Sequence, residues 1–253
     1  MADRSSSPLN ISIDADERAS LEAAAKHTGV DLSNFIRGKA IEAAETALLE
    51  RRLVTIPAED WNKIEAWVDT PPKDIAALRR SSAIRSLEST RALTGDDDRY
   101  AFDCGRASLN HWFWYHAWQD QETDMARTHV AVDPVTGDII GYVSLSAAEI
   151  KRASQPSEGI TPDIWLTAIP AVMFGRFAID QRHQGLGHAR SLIGFALASA
   201  VRVSRNIGCF CMLVHPLDDR IRALFQRFGF EDIPGDPARG MAIRIIDLER
   251  NGL

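Results

Sequence analysis

Polar and apolar positions alternate first at the N-terminal end, where Leu9, Ile11 and Ile13 flank Asn10 and Ser12. That is the period of a half-buried strand. From Asp14 the period becomes helical: Asp14 and Glu17 stand at the D-x-x-E spacing of an N-cap with a reciprocal carboxylate. Ala19, Leu21, Ala24 and Ala25 then fall mostly along one stripe of a helix over 15–28, and Gly29 is placed to end it in the left-handed conformation. Asp31 is placed to cap a second helix, whose apolar positions Phe35, Ile36, Ala40, Ala43, Ala44, Ala47 and Leu48 recur at helical spacing. One strand and two short helices bury too little apolar area to fold alone. The pattern therefore predicts dimerisation. Two strands paired as a ribbon in the DNA major groove would achieve this; a small helical oligomerisation module is the other reading.

The character changes after residue 50. Following Pro57, the residues Trp61, Ile64, Trp67 and Val68 make a short amphipathic helix that Pro71-Pro72 closes. Lys73, Arg79 and Arg80 follow in a stretch with little core. This segment reads as an arm docking on an apolar surface, or as an ordinary interdomain helix. Beyond residue 90 the pattern is mixed. An aromatic-rich helix over 110–121 carries Trp112, Phe113, Trp114, Tyr115 and Trp118, and a hairpin joins 128–132 to 139–145 across Asp133-Pro134. A strand over 172–179, a glycine turn, a helix over 189–203, a strand over 209–214 and a helix over 218–228 read as a crossover with a parallel strand pair. The expected division is 1–50, 51–90 and 91–253.

Composition narrows the class. The 253 residues are 45% hydrophobic and 25% charged, which excludes wholesale disorder. No run of about 18 apolar residues occurs, and Met1 to Pro8 lack the apolar core of a signal peptide. The three cysteines suit a reducing compartment better than a disulfide framework. The expectation is a cytoplasmic protein with no membrane partner. Cys209 and Cys211, two apart on an apolar strand, are expected to face one side; with no second pair, no metal is expected. The net charge of −6 means that any nucleic-acid contact must come from a local patch.

The stretch Arg182-His183-Gln184-Gly185-Leu186-Gly187-His188-Ala189-Arg190 follows a strand and opens a helix. Two glycines let the backbone turn tightly and approach a ligand. The helix N-terminus aims unpaired N–H groups at an anion, ideally a pyrophosphate. It is neither the dinucleotide G-x-G-x-x-G nor a P-loop; a plain tight turn is the alternative.

Arg182-x-x-Gly185-x-Gly187 resembles the Q/R-x-x-G-x-G/A signature of the GNAT acetyltransferases. Gly175-Arg176-Phe177-Ala178-Ile179-Asp180 resembles the G-R-L-A-V-D strand of that family's TacT-type toxins. Phe102-Asp103-Cys104-Gly105, Leu109 with Trp112, and Leu224 to Phe230 fit in order, so the resemblance runs from about residue 90 to 245. Leu32-Ser33-Asn34-Phe35-Ile36-Arg37, with Ile56-Pro57 to Pro71-Pro72, resembles the TacA-type antitoxins, which are ribbon-helix-helix proteins. The chain looks like the two fused, antitoxin first. The implied fold is α+β: a ribbon-helix-helix followed by a GNAT fold with a mixed, centrally splayed sheet.

The resemblance implies acetyl-CoA as co-substrate. Backbone groups of Phe177 and Ile179 would pair with its pantetheine arm, and an N–H where the strand splays at Phe177–Ala178 would stabilise an oxyanion. N–H groups of Gly185, Gly187 and the neighbouring Gln184, Leu186, His188 and Ala189 would hold the pyrophosphate, with Arg182 and Arg190 supplying charge. Arg176 and position 225 fall among the catalytic positions. The implied partners are operator DNA, met by Asn10 and Ser12 with Arg4, Arg37 and Lys39, then aminoacyl-tRNA, and a homo-oligomer of at least two chains.

Three departures stand out. Position 225 is a tyrosine in the toxin pattern, the acid for the departing thiolate, and is Phe225 here. General acid catalysis is worth about 10²–10⁴-fold. His215 is either a substitute acid or a loop histidine. Residues 81–253 carry 18 basic and 21 acidic side chains, a net of −3, where tRNA binding wants a basic footprint. In the ribbon, Pro8, Asn10 and Ser12 stand where an arginine is usual, and residues 1–50 hold five basic against nine acidic side chains. The sequence thus predicts a fused toxin–antitoxin chain with transfer reduced or lost, or alternatively an acetyl-CoA-sensing DNA-binding regulator.

Overall fold

The computed structural model describes residues 9–79, 90–153 and 166–253. Arg4, Pro8 and Arg80 lie outside them. The chain divides into two compact units, Met1–Ala44 and Glu45–Leu253, each taken by itself.

The first unit is helical. Helix α1 spans Ala15–Thr28 and is closed at its N-terminus by the expected box, with Glu17 N–H donating to Asp14 at 2.8 Å and Asp14 N–H to Glu17 at 2.9 Å. Gly29 ends it at φ +72°, a left-handed conformation that costs glycine nothing. Helix α2 spans Leu32–Leu49, with Asn34 N–H donating to Asp31 at 3.0 Å as the cap. The unit boundary falls within α2. The predicted strand over 9–13 is not formed: these residues are exposed and pair with nothing. Alternation alone does not make a strand: among the described residues these five find no neighbouring strand to pair with.

The second unit is built on one mixed sheet of β1 (Leu53–Ile56), β2 (Thr90–Ala92), β3 (Arg127–Val132), β4 (Ile139–Arg152), β5 (Ala168–Ile179), β6 (Cys211–Val214), β7 (Glu231–Asp232) and β8 (Met241–Arg244). The order is β2-β3-β4-β5-β6-β8-β7, and β1 pairs parallel with the far half of β4. The expected hairpin is β3–β4, and the expected crossover is β5–α7–β6, with α7 at His188–Ser204. Around the sheet lie α3 (Trp61–Val68), α4 (Ala76–Arg79), α5 (Ala107–Tyr115), α6 (Ala117–Glu122), α8 (Asp219–Arg227) and α9 (Ile245–Arg250).

Three readings of the sequence are corrected. The aromatic helix is two helices, α5 and α6, parted at His116. The stretch from Lys73 does not lack core, since Leu78 is buried and Ile75 packs against the same cluster, while the segment before it docks on an apolar surface as expected. Val54, Ile56, Trp61, Ile64 and Trp67 share an apolar cluster with Ile150, Ile169, Leu213 and Ala242 of the sheet. Cys209 and Cys211 pack in different clusters, because β6 begins only at Cys211 and Cys209 does not follow its alternation.

The arm is also held by charge. Arg244, fully buried, donates to the backbone carbonyls of Trp67 at 3.3 Å and Pro71 at 3.0 Å, and to that of Thr70. Asp247 accepts from Arg244 at 2.8 Å and from the Lys73 N–H at 2.7 Å. A buried guanidinium is tolerated only when so completely paired.

Candidate functional site

Strands β5 and β6 run parallel only as far as Phe174 opposite Val214. Beyond that point β5 keeps β4 on one side, with Phe177 to Ile179 opposite Val143 to Gly141, and its other edge carries no strand. The parting is aided by a bulge between Val143 and Leu145, where the Ser144 hydroxyl accepts the Arg176 N–H at 2.8 Å. Gly175 is required here, because a Cβ would lie 2.8 Å from that hydroxyl.

A cleft of about 750 Å³ opens at the splay. Its floor comes from β5 and β6 (Phe174, Gly175, Phe177, Ala178, Ile179, Val214 and His215). One end is the predicted glycine turn, contributing His183, Gln184, Gly185, Gly187, His188, Ala189 and Arg190. Gly185 and Gly187 sit at φ +80° and +91°, and a Cβ on either would meet nothing within 4 Å. The turn is an open cradle. Among the described residues, no acceptor is found for the backbone N–H groups of Gly185, Leu186, Gly187, His188 and Ala189. Five free donors at the start of a 17-residue helix give a concave surface whose chemistry suits an anion.

The predicted residues are not all brought together. Arg182 does not line the cleft. Its guanidinium turns back to Asp180, with Nε donating at 2.9 Å, and Leu186 points outward, 68% exposed. Burial works to raise the Asp180 pKa, but Arg182 and the backbone donors of Asp103 and Arg182 outweigh it and hold the carboxyl below its usual value. Gln184 acts through its side chain, donating to the Cys104 and Ile179 carbonyls at 3.1 and 3.0 Å.

Arg176 is 5% exposed and faces away from the cleft. It stacks over Trp112 at 4.6 Å and donates to Glu50 at 2.8 Å. Burial lowers its pKa and Glu50 opposes that; a guanidinium stays charged regardless.

Phe225 does line the cleft, edge-on to Phe174 and Phe230 at 5.1 Å each. The nearby proton carriers are committed elsewhere. His215 is buried, with Nε2 on the Arg51 carbonyl at 2.9 Å, and burial lowers its pKa, so it is neutral near pH 7. The Tyr142 hydroxyl donates to the Leu109 carbonyl at 3.0 Å, and burial pushes its pKa up. The Cys104 thiol, also raised by burial, donates to Asn110 at 3.0 Å.

Further lining comes from Leu109, Leu224 and Arg227, which the sequence matches to the family without assigning a role, and from Leu49 of α2, Arg106, Leu217, Asp218 and Arg220, which the sequence does not single out. Arg106 pairs with Asp218 at 2.7 Å and with Glu45 at 3.3 Å, and Ser108 donates to Glu45. The last turn of α2 is thus fastened beside the cleft. Of the DNA-facing candidates, Asn10, Ser12, Arg37 and Lys39 are exposed, and Lys39 pairs with Glu42 at 2.7 Å. Among the described residues no cluster of three or more His, Cys, Asp or Glu is arranged to hold a metal, and no helix is long and apolar enough to cross a membrane.

Residues 97–230 match the Acetyltransferase (GNAT) family, and residues 8–86 match the Antitoxin TacA 1-like family. A tRNA-acetylating toxin of Mycobacterium tuberculosis is 28% identical over 155 residues, which cover 60% of this chain and 90% of that toxin. The crystal structure of AtaTR bound with AcCoA aligns at TM-score 0.58 and 25% identity, over 64% of this chain and 95% of that one. The structure of AtaT complexed with acetyl-methionyl-tRNAfMet aligns at 0.56 and 25%, over 64% and 96%.

Proposed function

Because the chain belongs to the GNAT acetyltransferase family and carries a TacA-type antitoxin segment ahead of it, we propose that it is a single-chain antitoxin–acetyltransferase that binds acetyl-CoA and is attenuated in transfer. The observation that carries this is the cradle of five unpartnered N–H groups opening onto an apolar cleft. When bound, acetyl-CoA supplies an activated acyl group. The chain's part is to hold it. The N–H groups of Gly185 to Ala189 suit a pyrophosphate, with His183, His188 and Arg190 beside them. The open edge of β5 at Phe177 and Ala178 suits an extended amide chain. Ile179 contributes less, since its carbonyl is already taken by Gln184.

Attenuation follows from the proton ledger. Phe225 fills the place of an acid without its hydroxyl, and His215, Tyr142 and Cys104 have their protons engaged. The ancestral acceptor is an aminoacyl-tRNA, as the tRNA-acetylating relative suggests. The first unit supplies DNA binding and self-association: Ala25 is its one buried side chain among the described residues, while Leu9, Ile11 and Ile41 are exposed. Such a unit gains a core by pairing with a second copy. Asn10 and Ser12, with Arg37, Lys39 and the Arg4 segment, are the DNA-facing groups of that pair.

A second reading, an acyl-CoA-sensing regulator, is favoured by Arg176 being sealed between Trp112 and Glu50. Phe225→Tyr distinguishes the two. Measured with labelled acetyl-CoA and charged tRNA, transfer should rise by up to about 10²–10⁴-fold, the usual worth of a positioned acid. No rise would discard the attenuated-enzyme reading in favour of sensing.

A further inference from the structure

The cleft takes its lining from two separate apolar clusters. Leu49, Leu109 and Leu217 belong to the one under α5, and Phe174, Phe177 and Phe225 to the one under α7 and α8. Cys104 and His215 of the lining, and Tyr142 in the cluster with Leu109, bond elsewhere, while His183 and His188 stand at the glycine-turn end. Tyr142 gives its proton to the Leu109 carbonyl, Cys104 to Asn110, and His215 is bonded to Arg51. The charged lining comes from the helices and loops around the cleft: Arg106 is paired with Asp218 and Glu45, and Arg190, Arg220 and Arg227 are the cations suited to phosphates. Leu49, Leu109, Phe174 and Phe225 are buried and form an apolar wall, while Leu217 and Phe177 are half-buried. An acyl group that ended at two carbons would leave the exposed parts of Leu217 and Phe177 facing water, and a charged amine there would lose its hydration without replacement. An aliphatic chain would bury itself and them together.

We propose, building on the CoA-binding reading above, that the inner cleft is an acyl-chain pocket that prefers short-chain acyl-CoAs longer than acetyl, propionyl to hexanoyl. Leu49 and Phe225 set its length. Leu49 is the last residue of α2, anchored there by the Glu45–Arg106 and Glu50–Arg176 pairs. Phe225 presents a bare ring where a hydroxyl would favour a polar group. In this chain the tyrosine-to-phenylalanine change thus alters what is bound as well as removing a proton.

The test is calorimetric titration of the full chain with free CoA, acetyl-, propionyl-, butyryl- and hexanoyl-CoA. Each added methylene should tighten binding about fourfold, from the roughly 0.8 kcal/mol of a buried CH₂, so butyryl-CoA should bind about tenfold or more tighter than acetyl-CoA. Phe225→Tyr should shrink the butyryl-to-acetyl ratio. Leu49→Ala should raise hexanoyl relative to butyryl, and Leu49→Met should keep the parent ranking. Equal affinity for free CoA and every thioester, or acetyl-CoA binding tightest, would overturn the acyl pocket while leaving CoA binding standing. If free CoA itself does not bind, both readings fall.

Discussion

Between Met1 and Ala44 a single described side chain, Ala25, is buried, whereas Glu45–Leu253 holds three apolar clusters around an eight-stranded sheet. Local chemistry nonetheless defines the first unit well, through the Asp14–Glu17 box, Gly29 in the left-handed conformation and Asp31 capping α2. Caps fix where helices begin and end. They do not supply a core, which is why the proposed pairing with a second copy would decide this unit's stability. The second unit shows the reverse. Its aromatic helix breaks at His116 between α5 and α6, yet its sheet packs into three apolar clusters. One of those clusters is completed by residues 51–79, which the sequence alone presents as an arm.

That contrast can be broken most forcefully at Ile64, fully buried among Val54, Trp67 and the sheet. Ile64→Asp places an unpaired carboxylate in an apolar cluster, which costs several kcal/mol. The cooperative unfolding transition of the sheet unit should disappear or shift down by many degrees. A variant with a near-parent midpoint would show the arm to be a detachable strap.

A smaller effect is expected at the other end. Ile11→Asp should raise the dimer dissociation constant of the full chain by tenfold or more, measured by analytical ultracentrifugation, because Ile11 is 59% exposed in the single chain and gains burial only in a ribbon. A parent that is monomeric at every concentration would remove the ribbon.

The smallest effect is a pH dependence confined to the second unit. Burial holds the His215 and His129 pKa values below the ordinary 6.5. In the unfolded chain both take up a proton near pH 6.5, and in the native state only at lower pH. Their burial therefore costs nothing above that pH and destabilises progressively as pH falls from 6.5 toward the folded values. His215→Gln should flatten the melting temperature between pH 7 and 5.5. An unchanged slope would mean that His215 is charged in the native protein.

How much was legible in the sequence follows the range of the interactions. The helix caps and the glycine turn depend on neighbours within a few residues, and both were placed correctly. β1 was not seen: its four residues pair with Glu149 to Arg152, nearly a hundred positions away. Arg244 gave no signal, because a charged residue is ordinarily exposed, and its burial depends on carbonyls from the distant arm. Arg182 shows the limit of motif matching. Its position fits the family signature, yet its side chain is spent on Asp180. Leu49 could be assigned only once α2 was seen to end beside the cleft.

The central claim is that the glycine turn is the phosphate cradle of an acyl-CoA site. It is tested most directly by isothermal titration of the full chain with acetyl-CoA, comparing the parent, Gly187→Glu and Gly187→Asn. Asparagine tolerates the left-handed backbone that Gly187 adopts at φ +91° and adds no charge. Glutamate brings a carboxylate into a nest of N–H donors built for an anion. Saturable binding in the parent, largely kept in Gly187→Asn and weakened at least a hundredfold in Gly187→Glu, with both variants still folding cooperatively at a melting temperature somewhat below the parent's because each bears the strain of the left-handed backbone, is the predicted result. Binding by Gly187→Glu as tight as by the parent would place the site elsewhere and contradict the account.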